Sequence, residues 1–413
     1  MLTALPEKQV HRPPTGFNRS FISFVVARAA GTVAFQMAGV AVGWHVYALT
    51  GRAFDLGLVG LAQFLPSVVL VLFVGHAADR YNRRYIVAAA QIAMAMVLGL
   101  LALGSHDGWI SRDGILGLLF LVGIARAFEF TTLQTLLPSL VDQETLPRAL
   151  AVAGSVRQAA VISGPLLGGF LYIAGATTVY LTSALLFLFS AGMILSLDIA
   201  RSRTPREPPS LAAFFAGIRF IRNRPVISGA LSLDLFAVLL GGATALLPIY
   251  ARDILNTGPW GLGMLRAAPA AGALLVSLVM VRFPLRRRVG RTMFICVAIF
   301  GIATIAFALS RWLPLSCLLL AVLGGADMVS VVIRSTLVQL ETPDEMRGRV
   351  SAVNSIFIGS SNELGEFESG LTAAWFGVVP AVLIGGFGTL LVVLLWARLF
   401  PELLRHDRLK AQT

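Results

Sequence analysis

Gly75-His76-Ala77-Ala78-Asp79-Arg80-Tyr81-Asn82-Arg83-Arg84 is a short polar island in an otherwise oily chain. Residues 56–74 before it and 85–103 after it are almost wholly apolar. A helix needs roughly 20 such residues to cross a bilayer. The island therefore reads as a tight basic turn between two membrane spans. Gly75 allows helices to approach closely, and Asp79 at a helix end can pair with an arginine or a neighbouring helix N-terminus.

The rest of the chain repeats this pattern. Of 413 residues, 57% are apolar and only 13% charged, about half the charge of a soluble domain. Mean hydropathy is +0.81. A soluble fold could not hide that much apolar surface, and disorder requires the opposite composition. Twelve apolar stretches suit membrane helices, near 21–49, 56–74, 85–103, 114–137, 148–174, 178–197, 226–251, 260–281, 292–309, 315–338, 348–376 and 380–399. The first is too long and too late for a cleavable signal peptide, so it is expected to remain as span 1.

The charge follows the topology. Of 33 Lys and Arg, 24 fall in the termini and the loops on their side, and only Arg52, Arg112, Arg252 and Arg311 fall in the opposite loops. By the positive-inside rule both termini are cytoplasmic. The net charge of +12 then faces anionic headgroups rather than nucleic acid. Trp44, Trp109, Trp260, Trp312 and Trp375 fall at predicted outer ends, where tryptophan suits the interface. Cys296 and Cys317 sit in apolar runs without metal spacing and read as packing residues.

The chain divides into residues 1–197, a six-helix half; 198–225, a basic cytoplasmic linker; and 226–413, a second six-helix half. In the linker Leu211, Phe214, Phe215, Ile218 and Ile221 form a helical stripe beside Arg219, Arg222 and Arg224, expected to lie on the inner membrane surface. Residues 135–169, shifted by 201, align with 336–370 without a gap. The matches include Thr135/Thr336, Glu144/Glu345, Arg148/Arg349, Gly164/Gly365 and Gly169/Gly370. Duplicated halves with the substrate site between them are a common transporter plan.

The island resembles the signature loop of the major facilitator superfamily, G-x-x-x-D-R-x-G-R-R, supplied by Gly75, Asp79, Arg80, Arg83 and Arg84. Asn82 replaces the second glycine, and Asn tolerates a left-handed backbone better than most residues. The resemblance implies a gating latch on the cytoplasmic side that must break for inward opening. The second-half counterpart from Arg286 to Arg291 has Arg287 in place of the aspartate. Arg126-Ala127-Phe128-Glu129-Phe130 looks like the family's R-x-x-Q-G element, which the resemblance ties to proton transfer. Gly164-Pro165-Leu166-Leu167-Gly168-Gly169 resembles the core of the antiporter signature, with Ala160 for its upstream glycine; in the family this goes with export. Residues 59–66, the segment joining spans 4 and 5, and 337–355 resemble the branch that contains bacterial siderophore exporters of the enterobactin type and related drug exporters. The resemblance implies a monomer in the bacterial inner membrane, with spans 1, 4, 7 and 10 lining the cavity.

Charges at bilayer depth are expensive unless paired or wet, so each is a candidate site residue. Eleven fall well inside spans: Arg28, Arg126, Glu129, Arg157, Asp234, Arg266, Asp327, Arg334, Glu363, Glu366 and Glu368. On span 1, Arg28, Thr32, Gln36, Gly39 and Gly43 share one face, within about 80° at a helix's 100° per residue. Arg126 and Asp327 are equivalent under the 201-residue shift and are expected to face each other or share a ligand. Arg334 lies on the same face as Asp327. Glu363 and Glu366 share a face, while Glu368 points elsewhere. Three carboxylates so close in a dry helix cannot all ionise cheaply, and one that exchanges a proton near neutrality is what proton coupling requires. Glu363 or Glu366 is expected in that role; the alternative is neutralisation by Arg157 or Arg266. Thr342-Pro343-Asp344-Glu345 reads as a capping box.

His45 and His76 are isolated, and no metal or cofactor site is expected. No Ser-His-Asp order, paired-histidine motif or Walker A loop appears, so neither an enzyme nor an ATP-driven pump is indicated. The sequence points to an all-α secondary transporter of twelve helices. It would export a small molecule, siderophore-like or an amphipathic drug, against inward protons. A proton-symport importer, a lipid translocator and a non-transporting sensor are the alternatives.

Overall fold

The computed structural model describes residues 17–198, 211–285 and 287–407. Among the described residues there is no strand. Six long helices form the first half: α1 (Arg19–Thr50), α2 (Ala53–Arg80), α3 (Arg83–His106), α4 (Arg112–Leu136), α5 (Leu146–Leu171) and α6 (Ala176–Leu195). The second half holds α7 (Pro225–Leu240), α8 (Pro259–Arg282), α9 (Val289–Leu309), α10 (Leu313–Glu341), α11 (Asp344–Phe376) and α12 (Val378–Leu399). Beyond α7 the chain continues through a 3-10 turn, Ala243–Leu246, and a π turn, Tyr250–Ile254. Eleven of these segments are long and apolar enough to cross a membrane. The twelfth, α11, spans 33 residues but carries Glu363, Glu366 and Glu368 in its middle.

Turn chemistry sets the helix starts. Asn18 Oδ1 accepts from Phe21 N at 2.7 Å, while its Nδ2 donates to Leu140 O at 2.9 Å. One side chain thus caps α1 and ties it to the α4–α5 turn. Asn82 is not left-handed, as the family pattern suggested: its φ is −68° and its Oδ1 accepts from Arg84 N at 3.2 Å. It caps α3, a task glycine could not perform with a side chain. The expected capping box before α11 does not form. Pro343 stands at the cap without a side-chain bond, and the Thr342 hydroxyl is buried without a partner.

In each half the first helix rests on the fifth through glycine. A Cβ built at Gly164 of α5 would lie 2.6 Å from Gln36 Cβ of α1. At Gly365 of α11 it would lie 2.9 Å from Leu239 O of α7. The repeat also governs the seams between halves, where α5 packs on α8 and α2 on α11. A Cβ at Gly169 would meet Pro259 O at 2.6 Å, and one at Gly370 would meet Gly57 Cα at 2.7 Å. Only glycine permits such backbone approach. Both seams lie towards the face opposite the termini, so the halves are clamped there.

The linker helix, Leu211–Arg222, is docked rather than free. Ile218 and Ile221 pack with Ile227, Leu231, Val338, Val350 and Val353. The stripe expected to face lipid is in that part a protein contact.

Candidate functional site

Three polar clusters stand on this frame. The first lies within the first half. Glu129 is buried. Its Oε2 accepts from Arg126 Nη1 at 2.5 Å and its Oε1 from Gln91 Nε2 at 3.0 Å. The spacing of three residues puts Arg126 and Glu129 on one face of α4. The Arg126 guanidinium also lies 4.2 Å from the centre of the Phe35 ring and 5.8 Å from that of Phe130, a cation–π arrangement. Arg28 is within electrostatic reach of Arg157, Arg126 and Glu129. Arg28 and Arg126 therefore both lie near Glu129, and Arg157 lies near Arg28. Arg126 was expected to share a ligand or a contact with Asp327. Its ion pair is with Glu129 instead, because that partner is one turn away on the same helix.

The second cluster lies at the α2–α11 seam. A Cβ at Gly60 of α2 would stand 3.0 Å from Glu366 Oε2 and 3.4 Å from Glu363 Oε2. Both glutamates therefore lie beneath one glycine of the opposite half. Arg266 of α8 crosses α1 above two more glycines: Cβ atoms at Gly39 and Gly43 would come within 3.0 and 3.3 Å of its guanidinium nitrogens. Arg266 is within electrostatic reach of Glu366, and Arg126 of Glu363. Arg157, the other candidate neutraliser, is exposed and neighbours Arg28 instead. Glu368 accepts from Thr372 Oγ1, one turn further along α11, at 2.7 Å. Gln36, expected on a cavity wall, lays its Cβ and Cγ over Gly164.

The third cluster lies inside the second half. Asp234 of α7 and Arg334 of α10 form an ion pair, 6% and 3% exposed. Burial this deep requires the pairing. Asp234 and Asp327 line a narrow cavity between α7, α9 and α10 together with Cys296 and Ser330.

The signature loop has a visible anchoring role. Arg83 donates to Thr135 O at 3.4 Å and Arg84 to Leu197 O at 3.0 Å. Both carbonyls close helix C-terminal ends, where cations are favoured. Arg80 is exposed. The side chains from Gly75 to Asp79, and with them the expected latch, lie outside the described residues, as do Arg286 and linker residues 199–210. Gly168 receives the Met37 backbone of α1, and Pro165 O lies 2.5 Å from a Cβ built on Gly263 of α8. The whole helix 5 motif thus serves close packing.

Sequence reasoning missed five participants: Gln91, Gly60, Phe35, Tyr47 and Asp253. The Tyr47 hydroxyl of α1 donates to the Asp253 carboxylate beyond α7, bridging the halves opposite the termini. Arg252 stands 5.6 Å from the Tyr47 ring. No sequence signal marked these contacts, since each joins segments far apart in the chain. Among the described residues no three His, Cys, Asp or Glu converge as a metal site.

Comparison with known proteins agrees with this architecture. The family model described as transmembrane secretion effector matches residues 17–410. The enterobactin exporter EntS of Citrobacter koseri is 28% identical, over 94% of this chain and 93% of that protein. Its Escherichia coli K12 counterpart is 26% identical over the same shares. The nucleoside transporter NupG superposes with a TM-score of 0.71 at 15% identity, covering 93% of this chain and 99% of that one. An inward-facing bacterial homologue of the iron transporter ferroportin gives 0.69 at 18% identity, covering 94% and 99%. Those two likenesses concern the fold.

Proposed function

Because the chain belongs to the transmembrane secretion effector family of major facilitator transporters, we propose that it exports a small molecule by alternating access, driven by protons moving inward. The chain is a multi-span membrane transporter and not an enzyme. The observation that carries the coupling is the pair Glu363 and Glu366, held beneath Gly60 where the two halves meet. When α2 and α11 part, the carboxylates meet water on the face opposite the termini. When the seam closes, that water is excluded. A proton taken up in one state is released in the other, with Arg126 and Arg266 favouring release. Tyr47 and Asp253 hold the closed state, and the glycine seats let each half move as a rigid body against the other.

The basic face is the cytoplasmic one, with both termini there, in a bacterial inner membrane. The transporter works as a monomer, residues 1–197 and 226–413 rocking about the seams. The cargo is anionic and aromatic, or an amphipathic drug. Arg28 and Arg126 around Glu129 leave positive charge in the first half, and Phe35 supplies an aromatic face. The relatives named enterobactin exporters support the first class.

The test uses purified protein in liposomes holding a pH-sensitive dye. Catecholate siderophores and cationic drugs are added in turn under an imposed pH gradient. Cargo-dependent proton flux that vanishes in Glu363→Gln or Glu366→Gln is expected. Flux that persists in both variants would remove the glutamates from the coupling.

A further inference from the structure

The duplication that relates the halves also relates two positions on α4 to two on α10. Under the 201-residue shift Arg126 falls on Asp327, and Glu129 on Ser330. In the first half this site is complete. The guanidinium of Arg126 sits on Glu129 at 2.5 Å, and Gln91 fills the remaining oxygen. In the second half the equivalent site is a cavity bounded by α7, α9 and α10. It holds a carboxylate and a hydroxyl, and among the described residues no cation completes it. The Ser330 hydroxyl is 2% exposed, lines the cavity and has no hydrogen-bond partner. Asp327 has no ion pair or hydrogen bond among the described residues.

The charged groups around the cavity are few. Asp234 faces it from α7, and Arg334 on α10 is committed to Asp234. The Cys296 thiol faces it from α9. Asp327 is half-buried; two carboxylates and one guanidinium leave one negative charge inside the helix bundle, where an unpaired charge is disfavoured. The site thus calls for one positive charge. Its remaining walls are apolar, including Val238, Val297, Phe300 and Ala326. Two carboxylates and one hydroxyl fall short of the six or more oxygens that a hard metal cation gathers. A proton needs a single oxygen.

We infer that this cavity is a second proton-binding site, with Asp327 as the carrier and the unpartnered Ser330 hydroxyl beside it on the cavity wall. A proton from water adds to the Asp327 carboxylate, and a side-chain rotation within the cavity brings the new O–H onto the Ser330 oxygen. The site is separate from the glutamates at the α2–α11 seam and does not depend on their role in coupling. It gives the transporter one proton position in each of two places that move differently when the halves rock.

The experiment is infrared difference spectroscopy on full-length protein in lipid films, exchanged between alkaline and acidic buffer. The carbonyl band of protonated carboxylic acids is read. In a Glu363→Gln/Glu366→Gln background the seam is silent, so its role and this one are separated. A titrating band is expected to remain there, to disappear on adding Asp327→Asn, and to shift in frequency on adding Ser330→Ala instead. Ser330→Ala keeps the carboxylate and guards against an Asp327 variant that fails to fold. A band that survives Asp327→Asn, or no titrating band in the double variant, would overturn the inference. So would suppression of the band when sodium replaces choline at constant ionic strength, since the ligand would then be a metal cation.

Discussion

Adding one methyl group at Gly370 should open the clamp between the halves. A Cβ there would stand 2.7 Å from Gly57 Cα and 2.8 Å from Gly57 N, where ordinary contact begins at 3.4 Å. The obstacle is backbone, so no side chain can turn aside. Helices α2 and α11 must separate by about 0.7 Å to restore contact distance, or strain by an equivalent amount; overpacking of this kind costs about 1–3 kcal/mol. The contact joins the two halves, so the cost falls on the clamped state and spares the parted one. A differential of that size shifts the equilibrium by about 5- to 150-fold. Spin labels at Arg52 and Asn256, both exposed and opposite the termini, would read the separation in a cysteine-free background. Gly370→Ala should enrich the longer distance. Gly117→Ala serves as control, because nothing lies within 4 Å of a Cβ at Gly117. An unchanged distance distribution in a stably folded Gly370→Ala protein would refute the clamp.

Other outcomes follow from the same contacts. Arg334→Gln, before Asp234→Asn is added to it, leaves the buried Asp234 charge uncompensated, costing about 3–5 kcal/mol, or about 6–20 °C for a half of this size. The combined substitution should recover most of that loss in a thermal unfolding scan. Tyr47→Phe removes the bridge to Asp253 and should favour the parted state about fivefold, an effect of about 1 kcal/mol; the same spin-label pair reads it. Gly60→Ala brings a Cβ within 3.0 Å of Glu366 Oε2 and should abolish cargo-driven proton flux while leaving expression intact. Normal flux in that variant would separate the seam from the coupling.

Much of the site was written locally. The pairing of Arg126 with Glu129 follows from their spacing on one helix turn, and Glu368 could be set apart from Glu363 and Glu366 by helical angle alone. The glycines at 164, 169, 365 and 370 announced themselves as duplicated positions. What they receive was not legible, because nothing in residues 164–169 names Gln36 or Pro259 as the contact. Arg266 gave no sign that it would lie across Gly39 and Gly43. Thr342 shows the converse failure: its spacing fits a capping box, yet the first turn of α11 starts without that bond.

By itself the sequence determined the membrane class, the long helices, the basic face and the duplication, because composition and period act over short stretches and need no partner. Tertiary structure alone decided which charges meet. Asp234 finds Arg334 a hundred residues away, Tyr47 finds Asp253 across the seam, and Asp327 forms no ion pair among the described residues. Those outcomes depend on the rotation and depth of each helix, and these are set jointly by every glycine seat and packed face around it.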